Sequence, residues 1–386
     1  MMDTSNIPTG PRENPDFPEP VSPPITVVGP IAWLRANLFS SPLNSLLTIL
    51  AALFLVWVIP PFLHWAFFGA TWTFPQEVVD GVRNANRRDC APGGACWIFV
   101  RARIGQFLFG FYPMDERWRV ILVFLLTFAA VAGMLIDRLP YKRLNALFLF
   151  AILPFLAFWL LYGGLGLEVV QTRLWGGFML TLVISCVGIV LALPLGILLA
   201  LGRRSALPVV HLLSVMVIEF VRGVPLITVL FMANVMLPLF LPPGTTIDPL
   251  LRILVGFTVF TGAYLAEVVR GGLQAIGRGQ YEGAASLGLG YWAMMRLIIL
   301  PQALRVSIPA IVNTINGSFM DTTLVAVVGL YDFLNIVRTG SRDGNWIGTE
   351  IDGFVFCAAI YWVCCFGMSR YSMFLERKLD TGHKKQ

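Results

Sequence analysis

The sequence predicts an all-α polytopic membrane protein with about eight transmembrane helices. Of its 386 residues, 57% are hydrophobic and only 13% are charged. Together with a mean hydropathy of +0.75, this composition excludes an ordinary soluble globule. Apolar runs of about 20 residues, enough to cross a bilayer as a helix, recur along the chain. The net charge of +6 comes from cations in short loops and at the tail, which indicates contact with the lipid bilayer and no nucleic acid.

The first 173 residues predict a disordered start followed by three membrane helices. Residues 1–42 begin with a proline-rich stretch that has no long apolar run, so we expect a disordered cytoplasmic N-terminus. Residues 43–173 predict spans at about 43–63, 119–136 and 144–162. A basic cluster lies between the second and third spans and marks a cytoplasmic loop. Its members are Arg138, Lys142 and Arg143.

The long polar segment between the first two spans, about residues 64–118, is expected outside the cytoplasm. It contains Cys90 and Cys96, which we predict to form a disulfide that stabilises the loop by roughly 2 kcal/mol. The other four cysteines lie in apolar runs and are expected to be small core residues. No cysteine or histidine spacing predicts a metal site.

In the C-terminal half, residues 174–375, glycine, proline and polar residues enter the apolar runs. A series of small residues four apart predicts close helix packing. These residues are Gly188, Ala192, Gly196 and Ala200. Pro225 predicts a bend or a helix start within the segment 209–240. The spans are expected at about 176–201, 209–240, 250–269, 305–330 and 353–372.

Residues 280–301, here called the elbow, interrupt these spans with a polar stretch. The sequence predicts a short helix from Tyr281, a break at Gly288–Gly290, and a second short helix that ends before Pro301. Glu282 suits an aqueous face. We therefore expect an exposed turn that a partner protein can bind.

The elbow resembles the EAA loop of binding-protein-dependent ABC transporter permeases. Gly283 departs from the family pattern, which has alanine there, at a cost of about 1 kcal/mol of helix propensity. The resemblance implies that the elbow couples the chain to an ATPase. The matching residues are Glu282, Gly283, Ala284, Gly288, Ile298, Leu300 and Pro301.

Three further segments resemble the polar amino-acid permeases of this family. Glu219 to Leu226 match the pattern E-x-x-R-G-x-P-L, and Glu267 and Arg270 repeat the three-residue spacing of Glu219 and Arg222. Asp321 lies where the family has K-D-T-S-L, with Met320 in place of the lysine. The seventh span is unusually polar and predicts a substrate path or gate. The candidate residues are Asn313, Thr314, Asn316, Asp321, Glu219, Arg222, Glu267 and Arg270.

The resemblance implies a type I importer permease whose last five helices form the core. It further implies a second permease subunit, homologous or identical, a dimer of cytoplasmic ATPase subunits that bind ATP and Mg²⁺, and a periplasmic amino-acid-binding protein. The chain is expected in the bacterial inner membrane with both termini, including the basic tail 376–386, in the cytoplasm. The chain has four lysines, none of which follows the glycine of a P-loop. We therefore expect a transport subunit without a cofactor or enzymatic activity of its own.

Two alternatives compete with this interpretation. An ion-coupled secondary transporter would use the charged residues inside the membrane for coupling, but it leaves the elbow unexplained. An integral membrane enzyme would use Asp321 and Glu267 as acid and base, although these residues belong to different spans and no nucleophile is near either in the sequence.

Overall fold

The computed structural model describes residues 29–73, 85–136, 141–242, 244 and 247–379. The predictions for residues 1–28, for Arg138 and for the tail from residue 380 lie outside these residues. The chain divides into two compact units, Met1–Ala70 and Thr71–Gln386. Within the described residues, seven helices are long and apolar enough to cross a membrane, or eight if one bent pair is a single span. The predicted number of spans and the all-α class are confirmed.

The helices are numbered in chain order. In the first unit they are α1 (Pro30–Asn37) and α2 (Pro42–Leu63). The second unit begins with α3 (Trp97–Phe109), α4 (Arg117–Leu135), α5 (Lys142–Leu147), α6 (Leu153–Tyr162) and α7 (Gly177–Arg203). It continues with α8 (Pro208–Gly223), α9 (Leu226–Phe231), α10 (Pro249–Ala275), α11 (Arg278–Ser286), α12 (Tyr291–Met294), α13 (Leu300–Asp321), α14 (Phe333–Ser341) and α15 (Glu350–Leu379), with one short strand, β1 (Tyr331–Asp332), before α14.

Helices α7 and α10 run parallel and form the centre of the second unit. A Cβ atom on Gly188 would lie 2.5 Å from the Phe257 ring, and one on Gly196 would lie 2.9 Å from Cβ of Leu265. Both distances are far below van der Waals contact, so only glycine permits this approach. The predicted small-residue packing of the fourth span is confirmed.

Pro225 divides the fifth predicted span. Helix α8 ends at Gly223, Pro225 precedes α9, and the two parts meet at 107°. Pro225 has no N–H to continue the hydrogen bonds of α8. The predicted bend is confirmed.

The prediction that the second elbow helix ends before Pro301 is wrong. Helix α12 continues through a π-helical turn, Met295–Ile299, into α13. The continuous helical element Tyr291–Val328 has 38 residues. Because Pro301 lies in the first turn of α13, directly after the π turn, its missing N–H interrupts no regular α-helical hydrogen bond. The seventh span therefore begins inside the elbow.

Helix α3 packs on the core of the second unit. Phe107 is fully buried with Phe333 and Ile336 of α14. Its carbonyl oxygen lies 2.3 Å from where a Cβ on Gly177 would be. Since Gly177 has φ of +66° and starts α7, this contact fixes α3 against the start of a core helix.

Candidate coupling and translocation sites

The elbow has the turn that the sequence predicts. Helix α11 ends at Ser286, and Gly288 follows with φ of +71°. The Gly288 N–H donates to the Ala285 oxygen at 2.9 Å, and the Leu289 N–H donates to the Ala284 oxygen at 3.3 Å. This pair of bonds is a Schellman motif, which favours glycine at the position of positive φ. Nothing lies within 4 Å of a Cβ on Gly288, so glycine is required by conformation and not by space.

The outer surface of the elbow is open. Glu282 and Gly283 are exposed on α11, and no ion pair involves Glu282 among the described residues. Two large apolar side chains next to the turn are also exposed, Leu287 at 76% and Trp292 at 71%. A carboxylate beside exposed apolar groups is typical of a protein-binding surface. Ala284, in contrast, is buried and faces the rest of the fold.

Tyr281 connects the elbow to the ends of two core helices. Its hydroxyl donates to the Leu273 oxygen of α10 at 3.3 Å and accepts from Arg204 Nη1 at 3.1 Å. The Arg204 guanidinium also lies 5.7 Å from the centre of the Tyr281 ring. Gln302 of α13 donates to Gln280 at 3.1 Å. The elbow is thus fixed to α7, α10 and α13.

Beside this junction, five charged side chains form one ion-pair network between α7, α8 and α10. Arg203 Nη1 lies 2.8 Å from Glu219 Oε1 and 2.6 Å from Glu267 Oε1. Glu267 Oε2 lies 2.6 Å from Arg270 Nη2 and 3.7 Å from Arg222 Nη1. Glu267 is the least exposed of the five, at 15%, and holds the network together.

The sequence predicted two local pairs of residues three apart, and the structure forms one of them. Glu267 pairs with Arg270 as expected, but Glu219 pairs with Arg203 of α7. Arg222 reaches Glu267 and lies over the Tyr264 ring. Sequence reasoning missed Arg203 as a member of this network. Its partner Glu267 is 64 residues away, so no local spacing indicates the contact.

The polar residues of the seventh span lie along α13. Asn316 donates to Ser369 of α15 at 2.9 Å, and its amide oxygen is buried without a hydrogen-bond partner among the described residues. Asn313 is exposed, and Thr314 donates to the Ala310 carbonyl of its own helix. Asp321, the last residue of α13, is half-buried, with no side-chain hydrogen bond or ion pair to another described residue. These residues belong to one helix, and the antiparallel packing of α13 on α10 places Asp321 farthest from the ion-pair network.

Sequence reasoning missed a buried polar cluster around Asp332. This carboxylate is fully buried and accepts from the backbone N–H groups of Leu334 and Asn335 at 3.2 Å each, so it caps α14. It also accepts from the Asn335 amide and, at 3.4 Å, from the Tyr361 hydroxyl. Burial raises the pKa of Asp332, and these hydrogen bonds lower it only partly. An aspartate just before an apolar helix start is an N-cap signal that could have identified this residue.

The structure joins Cys90 and Cys96 in a disulfide with Cα atoms 5.5 Å apart. Both cysteines pack in the cluster that contains Phe107 and Phe333, so this loop forms part of the fold around α3. Oxidation of the pair in the cell stays a prediction. In the part of the chain that the structure describes, no group of three or more His, Cys, Asp or Glu side chains could hold a metal ion.

The fold and the elbow together define a membrane transport subunit, and comparison with known proteins agrees. Residues 192–381 match the family described as the binding-protein-dependent transport system inner membrane component. The chain is 52% identical to the inner membrane amino-acid ABC transporter permease protein YhdY of Escherichia coli (strain K12), over 91% of this chain and 94% of that protein.

Two further relatives give the same result. The glutamate/glutamine/aspartate/asparagine transport system permease protein BztC of Rhodobacter capsulatus is 42% identical over the full length of both chains. The glutamate/aspartate import permease protein GltK of Escherichia coli O6:H1 is 33% identical over 52% of this chain and 91% of that protein. The chain therefore belongs to the binding-protein-dependent ABC importer permeases, a family of multi-pass inner-membrane proteins, as the elbow's resemblance predicted.

Proposed function

We propose that this permease takes up L-amino acids that a periplasmic binding protein delivers. The support is the function named for its relatives, which include an amino-acid permease matched over nearly its whole length. A dimer of separate cytoplasmic ATPase subunits binds ATP and Mg²⁺ and drives transport. A second permease subunit, identical or homologous, completes the path, and both termini of this chain face the cytoplasm.

The elbow is the ATPase-binding site in this proposal, and its exposed surface is the observation that carries it. Glu282 offers a carboxylate to a basic group of the ATPase, and Gly288 sets the angle between α11 and α12. Gly283, Ala284, Leu300 and Pro301 shape the same element. Residues 174–375 form the transport core, and the family match over residues 192–381 supports this assignment.

Movement of the elbow reaches the transport path through Tyr281 and Arg204. The contacts of these residues with Leu273 connect α11 to the ends of α7 and α10. Arg203 follows the same movement, since it is the neighbour of Arg204. Displacing Arg203 separates Glu219 from Glu267, so ATPase closure rearranges the ion-pair network near this end of the path. Partly exposed ion pairs exchange partners at low cost, about 1 kcal/mol or less each.

Asp321 is the substrate-binding or gating residue of the path. A carboxylate without a partner in a membrane helix costs several kcal/mol if it faces lipid, and much less if it faces water or a substrate ammonium. Asn313, Thr314 and Asn316 continue the polar face along α13. Asp321→Asn should reduce amino-acid uptake while leaving ATPase binding intact.

The decisive experiment replaces Gly288 with arginine and Glu282 with alanine in the assembled transporter. Arginine at φ of +71° is strained by about 1–2 kcal/mol and misplaces the docking surface. We expect normal abundance of the variants in membranes, with loss of ATPase retention and of amino-acid uptake.

Gly283→Ala is the matched control, since it lies on the same exposed helix with nothing within 4 Å of its Cβ position. It should keep both ATPase retention and uptake. The proposed site is wrong if Gly288→Arg and Glu282→Ala retain the ATPase and transport normally. Loss of abundance alone would assign the elbow a role in folding.

A further inference from the structure

An open groove of about 600 Å³ lies between α7, the start of α13 and the end of α15. Its walls are mainly apolar, and it opens to the surface of the second unit. This volume is in the range of cavities that hold organic ligands. The cavity is called the α13 groove here, and its walls include Leu193, Leu304, Arg305, Ile308, Ile311 and Leu379.

Arg305 is the charged side chain of the α13 groove, and it is available to a ligand. It is exposed, and within the described ranges its side chain makes no hydrogen bond or ion pair. The other polar side chain of the wall, Gln302, already donates to Gln280 Oε1 at 3.1 Å and to the Ile298 oxygen at 2.9 Å. A guanidinium offers several N–H donors in a fixed plane, which suits phosphate oxygens. The groove thus combines an apolar wall with one accessible group that prefers an anion.

The depth of the α13 groove corresponds to one leaflet of the bilayer. Arg305 is the first residue of the predicted seventh span, on the elbow side, and Ile311 lies six residues farther along α13, about 9 Å deeper. On α7, Leu193 lies ten residues before Arg203, which ends that helix on the same side, so its depth is about 15 Å. Both helices therefore place the inner end of the groove within half of the roughly 30 Å hydrocarbon core.

We propose that the α13 groove binds an anionic phospholipid of the cytoplasmic leaflet, with the phosphate on Arg305 and an acyl chain along Ile308 and Ile311. A phospholipid has its charge at the membrane surface and its apolar chain below, which is the order of groups in the groove. A free amino acid is too short to cover the apolar wall. At the outer end, next to Leu379, the last turn of α15 adds two basic residues. The proposal rests on the proposed function only for the side of the membrane on which the groove lies.

The test measures the binding of phosphatidylglycerol and of phosphatidylcholine to the purified, delipidated transporter complex by native mass spectrometry. We expect the unmodified complex to bind phosphatidylglycerol about fivefold more tightly or better, because an arginine near the membrane surface attracts a lipid with net negative charge. Arg305→Gln should remove this preference, and Arg305→Lys should keep most of it. Arg370→Gln is the matched control, since Arg370 is exposed near the same end of α15 and is not part of the groove wall. It should keep the preference.

Ile308→Trp tests the apolar part of the groove, because the larger ring occupies the space of the acyl chain while Arg305 stays. It should weaken the binding of both lipids.

Equal binding of the two lipids by the unmodified complex would overturn the proposal, as would an unchanged preference in Arg305→Gln. Loss of the preference in Arg370→Gln would also overturn it, since the effect would then come from general surface charge. If Ile308→Trp leaves lipid binding unchanged and separates the permease subunits, a second subunit fills the groove and the proposal is wrong. Lipid binding needs neither ATP nor an amino acid, so a lack of amino-acid uptake by the unmodified complex would refute the proposed function alone.

Discussion

The two ends of the α7–α10 pair are built from different interactions. The C-terminal ends of both helices lie beside the elbow. At this elbow end, five partly exposed charged side chains hold α7, α8 and α10 together. The N-terminal ends of both helices are called the Cys-loop end here, because the Cys90–Cys96 loop packs there with Phe107 and Phe333. At this end, α7 starts against backbone atoms of α3, and the fully buried carboxylate of Asp332 caps α14. One end relies on ion pairs and the other on close packing and buried hydrogen bonds.

This difference indicates which end moves. Ion pairs between partly exposed groups contribute little individually and change partners easily. Buried hydrogen bonds are costly to break, because each buried polar group left without a partner lowers the stability of the protein by about 1–3 kcal/mol. We therefore expect the elbow end to rearrange during transport and the Cys-loop end to stay fixed.

The largest expected effect is at the fixed end, from Gly177→Ala. The new Cβ would lie 2.3 Å from the Phe107 oxygen, and the residue would have to adopt the φ of +66° that Gly177 has. We therefore expect the free energy of unfolding to fall by about 3 kcal/mol or more, with low abundance in membranes. Gly164→Ala is the control, because φ there is +90° but nothing lies within 4 Å. Its cost should be only about 1–2 kcal/mol from backbone strain. Equal thermal stability of the two variants in detergent would refute the close contact.

A smaller effect is expected from Asp332. Asp332→Ala removes the acceptor of the α14 N-terminus and should lower the stability by about 1–3 kcal/mol. Asp332→Asn keeps a capping oxygen and should lose much less. The thermal unfolding of both variants in detergent, compared with that of the unmodified protein, tests this order.

Asp332 also predicts a pH dependence of stability. Its pKa is raised in the folded protein above the ordinary value of 3.8, so the folded state binds more protons than the unfolded state between the two values. The Asp332 contribution to stability therefore falls as the pH rises from 3.8 through the raised pKa, and then stays constant. Asp332→Asn should lack this component. An identical pH profile for both proteins would contradict the burial of this carboxyl group.

At the elbow end, Arg203→Gln should change transport more than stability. Glu267 keeps Arg270 and Arg222, so the loss of stability should stay near 1 kcal/mol or less. If the network transmits the movement of the elbow, a transporter with Arg203→Gln should hydrolyse more ATP for each imported amino acid than the unmodified transporter does. Arg342→Gln, which breaks a 3.7 Å pair with Glu350, serves as the control. Unchanged coupling in Arg203→Gln would show that the network is only structural.

The smallest effect is expected from Gly283→Ala. This exposed position on α11 has open space around its Cβ, and alanine should stabilise the helix by about 1 kcal/mol without changing uptake. Helix content and thermal stability of the purified chain measure the gain. Reduced uptake would mean that the ATPase contacts the glycine itself.

The sequence was sufficient for features that depend on neighbouring residues. Membrane-length apolar runs predicted the spans, Pro225 predicted the bend between α8 and α9, and the pattern around Gly288 predicted the turn of the elbow. Each depends on hydropathy or on backbone preferences within a few residues. The predicted end of the second elbow helix before Pro301 was wrong, because a π-helical turn lets the helix continue and no residue pattern indicates that turn.

Tertiary structure alone decided which distant groups meet. The pairing of Arg203 with Glu267 and the contact of Arg252 with Asn234 join residues on separate helices, 64 and 18 positions apart. Such contacts depend on helix rotation and register, which follow from packing over the whole bundle and from glycines that allow close approach. The sequence thus determined the membrane helices and the elbow, whereas packing determined the ion-pair network and the buried Asp332 cap.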